Sequence, residues 1–212
     1  MFFLTEKIVF PPVENASVDG VVAVGGDLST ERLIEAYNQG IFPWFDQGDL
    51  ILWWSPDPRM VLVPSHIKIS KSMKTVLKKK IFKITYNKAF EDVIRNCAKI
   101  ERKGQDGTWI DEDMTTAYIK LHKMGVAKSV EVWYENELVG GLYGVDLGHI
   151  FCGESMFSKM SNASKTAFIY LAQKLEKENY KLIDCQLYTD HLYSLGAREI
   201  PREVFISVLK SN

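Results

Sequence analysis

Four groups of residues in this chain could do chemistry. Glu154 stands in an otherwise apolar run, Leu138 to Ser158, which reads LVGGLYGVDLGHIFCGESMFS. A carboxylate set among Phe151, Met156 and Phe157 is costly unless it meets water, a partner or a ligand. It therefore marks either the solvated end of a core hairpin or a substrate contact. Asp184 and Gln186 lie in KLIDCQL, residues 181–187, a short and mostly buried strand whose alternation puts both on one face. Between Ser65 and Phe90 there are eight lysines and no acid. On a helical wheel of residues 68–80, Lys68, Lys71, Lys74 and Lys78 oppose Ile69, Met73, Val76 and Leu77. Such a face is either simply solvated or in contact with a polyanion. Last, IFPWFDQGDLILWWSPDPR crowds Phe42, Trp44, Phe45, Trp53 and Trp54 among Pro43, Pro56 and Pro58. These rings either seal two parts of the chain together or line a pocket and stack on a base.

Other chemistries find little support. Cys97, Cys152 and Cys185 form no CxxC, which points to a reducing cytoplasm and no structural zinc. His66, His122, His149 and His191 are scattered, so no metal is expected, and there is no P-loop. No apolar run approaches the roughly 18 residues of a membrane span. MFFLTEKIVF has no basic region ahead of its apolar residues, so it is not read as a signal peptide. A net charge of −1 argues against a wholly basic nucleic-acid binder but leaves local patches open.

The elements that must hold these groups follow from the pattern. At 212 residues and 46% hydrophobic, the chain can bury a sizeable core. Residues 1–20 read as irregular, followed by Val21–Val24 and a helix capped by Ser29 and stopped by Gly40. The proline-rich aromatic segment leaves room only for short elements. The region Pro56–Pro64 reads as a boundary between a small N-terminal domain, 1–60, and a larger one, 61–212. In the larger domain, amphipathic helices are expected at the lysine run, at Phe90–Cys97 and at Met114–Leu121, the last ended by Gly125. Ser129–Tyr134 alternates as a strand and turns at Glu135-Asn136 into the glycine-rich run, whose glycines mark a bulge or close backbone approach. Asn162 is expected to cap a helix through Ala163, Ala167, Phe168, Leu171 and Leu175. Pro201 is expected as the first residue of the last helix. The fold class is α+β with a central mixed or antiparallel sheet.

The stretches VVAVGGDLS, QGIFPWF, ILWWSPDPR, GTWI, SVEVW, ELVGGLYGV, IFCGESMFS, NASKTA, LIDCQ and SLGAREIPR occur in that order. Together they resemble the leucyl/phenylalanyl-tRNA–protein transferase family of bacteria, over roughly residues 20–206. The resemblance implies that the larger domain is acetyltransferase-like (GNAT). It implies transfer of leucine or phenylalanine, less often methionine, from aminoacyl-tRNA to proteins beginning with Arg or Lys, which marks them for degradation by the N-end rule pathway. Carried onto this sequence, it makes Asp184 and Gln186 the catalytic pair and puts Glu154 beside the substrate. It also implies an aminoacyl pocket of Trp109, Leu142, Phe151, Met156, Leu171 and Leu175, with Trp44 near the terminal adenosine. Lys71, Lys74, Lys78 and Lys79 become tRNA backbone contacts. Some members carry Met at the position of Leu142 and Phe at those of Leu171 and Leu175, so the Leu/Phe preference stays open.

The chemistry implied is ester aminolysis, which needs no cofactor because the ester is already activated. Free α-amines have pKa values near ~7.7–8.0, so a proton acceptor helps at neutral pH. Asp184 is one candidate, with Gln186 orienting the amine; a ribose hydroxyl of the tRNA is the other. Glu154 suits either the amine or the charged side chain of the acceptor. Two alternatives compete: an acetyl-CoA-dependent N-acyltransferase, for which no [Q/R]xxGx[G/A] turn is found, and a non-catalytic RNA- or peptide-binding module. The partners expected are aminoacyl-tRNA and an acceptor protein; no membrane is expected, and the chain is expected to act as a monomer.

Overall fold

The computed structural model describes residues 1–100 and 110–211. Among these, the chain runs β1 (Phe3–Leu4), β2 (Val21–Gly25), α1 (Thr30–Asn38), β3 (Phe42–Pro43), β4 (Leu52–Trp54), β5 (Arg59–Leu62), α2 (Lys71–Lys79), β6 (Lys83–Tyr86) and α3 (Phe90–Lys99). It continues through α4 (Glu112–Lys123), β7 (Ala127–Tyr134), β8 (Glu137–Asp146), β9 (Ile150–Ser158), α5 (Ala163–Lys177), β10 (Leu182–Gln186), α6 (Asp190–Ser194), β11 (Arg198–Ile200) and α7 (Arg202–Lys210). The fold is α+β. A four-stranded sheet, β1-β2-β4-β3, sits beside a seven-stranded mixed sheet, β11-β5-β10-β9-β8-β7-β6. In the larger sheet β9 and β10 are parallel and the other neighbours antiparallel.

Alternation divides the large sheet into two faces. On β8 and β9, Tyr143, Val145 and Cys152 join a core with α3, α4, α7 and the small sheet, from Phe10 and Trp53 to Phe90, Tyr118 and Phe205. Leu142 and Phe151 turn the other way, onto Ala167, Phe168 and Leu171 of α5. Hydrophobic burial of this kind is worth about 25 cal/mol per Å² of apolar surface. The large sheet is therefore covered on both faces, and its inner strands are apolar along most of their length.

Local signals explain most of the boundaries. The Ser29 side chain accepts from Arg32 N at the start of α1, and that of Ser70 from Met73 N at the start of α2. Gly40 and Gly125 follow α1 and α4 with positive φ, as helix stops do. The β7–β8 hairpin turns at Glu135 and Asn136, both left-handed. The glycine-rich strand β8 carries a register irregularity against β9 between Tyr143 and Gly144. A Cβ at Gly144 would lie 2.2 Å from Cys152 O and 2.6 Å from the Phe151 ring, so only glycine lets that ring seat there.

Three local expectations differ from the structure. Asn162 does precede α5, but it adopts φ 70° and its side chain makes no capping bond. Ser158 Oγ instead accepts from Ser164 N at 3.3 Å. Pro201 stands just before α7, which begins at Arg202. The lysine-rich segment continues into edge strand β6, which its charge pattern concealed.

Candidate active site

β10 enters the sheet between β5 and β9 and ends in an irregularity. Asp184 faces Val61, but Gln186 faces Met60, and the pairing slips between them. Gln186 takes a left-handed φ of 65°. As a result Asp184, Cys185 and Gln186 all line one cavity of about 390 Å³, which strict alternation would not allow.

Asp184 is fully buried and gripped by Arg59 of β5. Arg59 Nε donates to Asp184 Oδ1 at 2.8 Å and Nη2 to Oδ2 at 2.7 Å. The guanidinium lies between the rings of Phe42, 4.8 Å away, and Phe205, 4.6 Å away, an arrangement that suits its planar, weakly hydrated charge. Asp184 Oδ1 also accepts from the backbone N of Gln186 at 2.9 Å. That bond holds the left-handed turn and aims the Gln186 side chain.

Gln186 Nε2 donates to Glu154 Oε1 at 2.8 Å. The other oxygen, Oε2, accepts from the Tyr118 hydroxyl at 3.1 Å, and Tyr118 in turn bonds the hydroxyl of Tyr37. The chain Tyr37–Tyr118–Glu154–Gln186–Asp184–Arg59 thus crosses from α1 and α4 through β9 and β10 to β5. Burial pushes the Glu154 carboxyl up to about 7, the nearby Asp184 charge adds to the rise, and bonds from the tyrosines and Gln186 hold it down. Tyr37 and Tyr118 lie well above their ordinary value, first through burial and then through the Glu154 charge, so both remain donors at neutral pH.

The cavity's apolar wall includes Leu142, Phe151, Met156, Phe168, Leu171 and Ile183. Phe42, Pro43 and Trp44 bring the small sheet to it, and Trp44 leans on Trp54 at 5.4 Å. Glu154, Asp184, Gln186, Trp44, Leu142, Phe151, Met156 and Leu171 are therefore brought together. Leu175 is not among the lining residues; it is buried on α5 one turn further along and faces a separate cleft of about 180 Å³. Trp109 lies outside the described residues. Lys71, Lys74, Lys78 and Lys79 are exposed along α2, whose one fully buried residue is Met73.

Arg59, Tyr37 and Tyr118 escaped sequence reasoning. Arg59 was visible only as the end of WSPDPR. The tyrosines read as members of apolar helix faces, yet a buried tyrosine usually needs a partner for its hydroxyl, and that was the available signal. Among the described residues no cluster of three or more His, Cys, Asp or Glu could hold a metal ion, and no helix is long and apolar enough to cross a membrane.

The assembled site has an apolar pocket and a buried carboxylate poised near neutrality. Beside that carboxylate lies an amide held by a fixed aspartate. It can hold a hydrophobic side chain and take a proton from an amine.

Comparison with known proteins agrees with this chemistry. The family model described as leucyl/phenylalanyl-tRNA protein transferase matches residues 61–210, and the model for the N-terminal domain of the same family matches residues 26–57. The leucyl/phenylalanyl-tRNA–protein transferase of Flavobacterium johnsoniae is 64% identical over 211 residues, covering 100% of both chains. That of Flavobacterium psychrophilum is 57% identical, covering 99% of this chain and 100% of its own. Among solved structures, L-PGS from Bacillus licheniformis has a TM-score of 0.44 at 13% identity, covering 82% of this chain and 57% of that one, a likeness too slight to carry an argument. The chain belongs to the leucyl/phenylalanyl-tRNA protein transferase family.

Proposed function

We propose that the protein is an aminoacyltransferase. It moves leucine or phenylalanine, less often methionine, from aminoacyl-tRNA to the α-amine of proteins that begin with Arg or Lys, marking them for degradation by the N-end rule pathway. The observation that carries this reading is the meeting of Glu154 and Gln186 at an apolar pocket, in a chain of this family. The aminoacyl side chain occupies the apolar wall. The neutral amine attacks the ester carbonyl; the new C–N bond replaces the C–O bond to the ribose, and the tRNA leaves as its free hydroxyl.

Asp184 and Gln186 act as a pair: Asp184, neutralised by Arg59, fixes Gln186, and Gln186 orients the amine. Glu154 accepts the amine proton and gives it to the departing ribose oxygen, a task suited to a carboxyl near 7. Trp44 stacks on the terminal adenosine, and Lys71, Lys74, Lys78 and Lys79 meet RNA phosphates. We read residues 1–60 as a small domain on an acetyltransferase-like (GNAT) domain, 61–212. The separate four-stranded sheet supports that division, with β5, residues 59–62, at the boundary and paired within the larger sheet. The protein is read as a cytoplasmic monomer that needs no cofactor.

The test is transfer of labelled phenylalanine and leucine from charged tRNA to peptides beginning with Arg, Lys or Ala, without ATP or acetyl-CoA. Label on the Arg and Lys peptides alone supports the reading. No label on any peptide, with tRNA still bound, leaves only an RNA-binding module.

A further inference from the structure

At the end of α2 the lysine run enters edge strand β6, and the strand borders a shallow cleft of about 620 Å³. Ile81, Lys83, Thr85, Lys88 and Trp133 line it, with Glu135 at the β7–β8 turn. Lys83 and Lys88 are exposed, and Trp133 is half-buried. The indole is fixed from beneath. Trp133 Nε1 donates to Thr85 Oγ1 at 2.8 Å, and Thr85 donates to Glu131 Oε2 at 2.5 Å. Glu131 is fully buried, and its other oxygen accepts from Ser129 Oγ at 2.5 Å and Lys88 N at 3.3 Å. A carboxylate buried under an edge strand is costly, and here its bonds hold one tryptophan and the backbone of one lysine in place.

Lysines on an edge strand often serve only to prevent strand pairing. That role needs neither an aromatic ring beside them nor a buried carboxylate to orient it. A rigid ring whose N–H is satisfied inward, flanked by Lys83 and Lys88, matches the platform-and-cation pattern that binds nucleobases and their phosphates. The position fits as well. β6 lies four strands from β10, roughly 19 Å at about 4.8 Å per strand. Lys71, Lys74, Lys78 and Lys79 on α2 lead directly into β6 along the chain. Glu135 is the one acid lining the cleft. It disfavours a phosphate at its own end and leaves the phosphates to the two lysines.

We propose that this cleft is a second RNA contact, in which Trp133 stacks on an unpaired or helix-end nucleobase while Lys83 and Lys88 hold the adjoining phosphates. The inference rests on the reading that the α2 lysines bind tRNA.

The test measures binding of uncharged tRNA across a salt series for the wild-type protein and for Trp133→Phe, Trp133→Leu, Lys83→Gln and Lys88→Gln. Trp133→Leu keeps apolar bulk without a stacking face. It is expected to weaken binding about tenfold, with the salt slope unchanged and Trp133→Phe close to wild type. Each lysine variant is expected to flatten the slope by about 0.7–0.9. A small aminoacyl-adenosine ester, lacking the RNA body, is expected to be used equally well by all five proteins. Trp133→Leu binding tRNA as tightly as Trp133→Phe overturns the platform. Unchanged salt slopes in both lysine variants overturn the phosphate contacts. Wild-type protein that fails to bind tRNA removes the α2 reading and this one with it.

Discussion

Arg59 and Asp184 meet in a two-pronged ion pair, both side chains buried, although they stand 125 residues apart in the chain. Both prongs are 2.8 Å or shorter. Ion pairs of this kind are costly to assemble and costlier to break, because the survivor is left charged in a dry place. Asp184→Asn is therefore expected to destabilise the protein by about 3–5 kcal/mol, read as a lower urea midpoint. Arg59→Lys is expected to recover only part of the stability, since an ammonium cannot reproduce the fork. Full stability in Asp184→Asn would contradict the anchoring role.

Glu154 sets a pH dependence. With its carboxyl near 7, the acceptor form grows as pH rises through that value, so kcat/KM for transfer should climb through about pH 7. The acceptor amine adds a second rise near ~7.7–8.0. Glu154→Gln should remove the first rise and leave the second. An unchanged profile in that variant would assign the proton elsewhere.

The same group acts on stability in the opposite direction. Its carboxyl is raised on folding, so the native state binds the proton more tightly than the unfolded chain. Stability from this group is full below about 4.5 and is lost as pH rises to about 7, by about 3 kcal/mol in all. Glu154→Gln should therefore gain stability relative to wild type between pH 5 and 8. Parallel stability–pH curves for the two proteins would refute the raised carboxyl.

Tyr118→Phe deletes one donor to Glu154 while keeping the ring. The first rise of the rate profile should move up by about one pH unit, since bonds to charged groups are worth about 1.5–3 kcal/mol. Tyr37→Phe should move it in the same direction, since a bond from Tyr37 also holds the carboxyl down. A variant that loses rate but keeps its midpoint would reduce Tyr118 to a packing role.

Gly144→Ala drives a Cβ into Cys152 O and the Phe151 ring. The backbone atom cannot swing aside, so a loss of about 2 kcal/mol or more is expected, with Phe151 displaced from the pocket wall. Thermal melts give the first effect, and a weakened preference for phenylalanine over alanine esters gives the second.

Much of this was legible in the sequence, for local reasons. Ser29 and Gly40 bracket α1 because capping chemistry acts within one turn of chain, and β7 shows itself by alternation. Glu154 stood out because its neighbours made it expensive. The parts that stayed hidden depend on distant partners. Nothing around Arg59 announces that its charge is answered by Asp184, and nothing around Tyr37 or Tyr118 announces Glu154. Alternation in KLIDCQL put Asp184 and Gln186 together, but Cys185 reached the cavity only through a slip in strand pairing, which alternation cannot show. β6 was masked because lysines on an exposed edge look like more of the lysine helix. Leu175 shares the apolar stripe of α5 with Leu171, and a stripe does not say where a cavity ends.

The placement of β5 and β10 also bears on how the protein is made. The strand that carries Arg59 is flanked by β10 and β11, near the end of the chain, so the central ladder closes only over a separation of 125 residues. Contacts that distant form slowly and late. On a ribosome the N-terminal sheet and β7–β8 can form while Arg59 waits uncompensated for Asp184. The buried ion pair therefore closes only once β10 has been made, and a chain truncated before β10 lacks both Asp184 and Gln186.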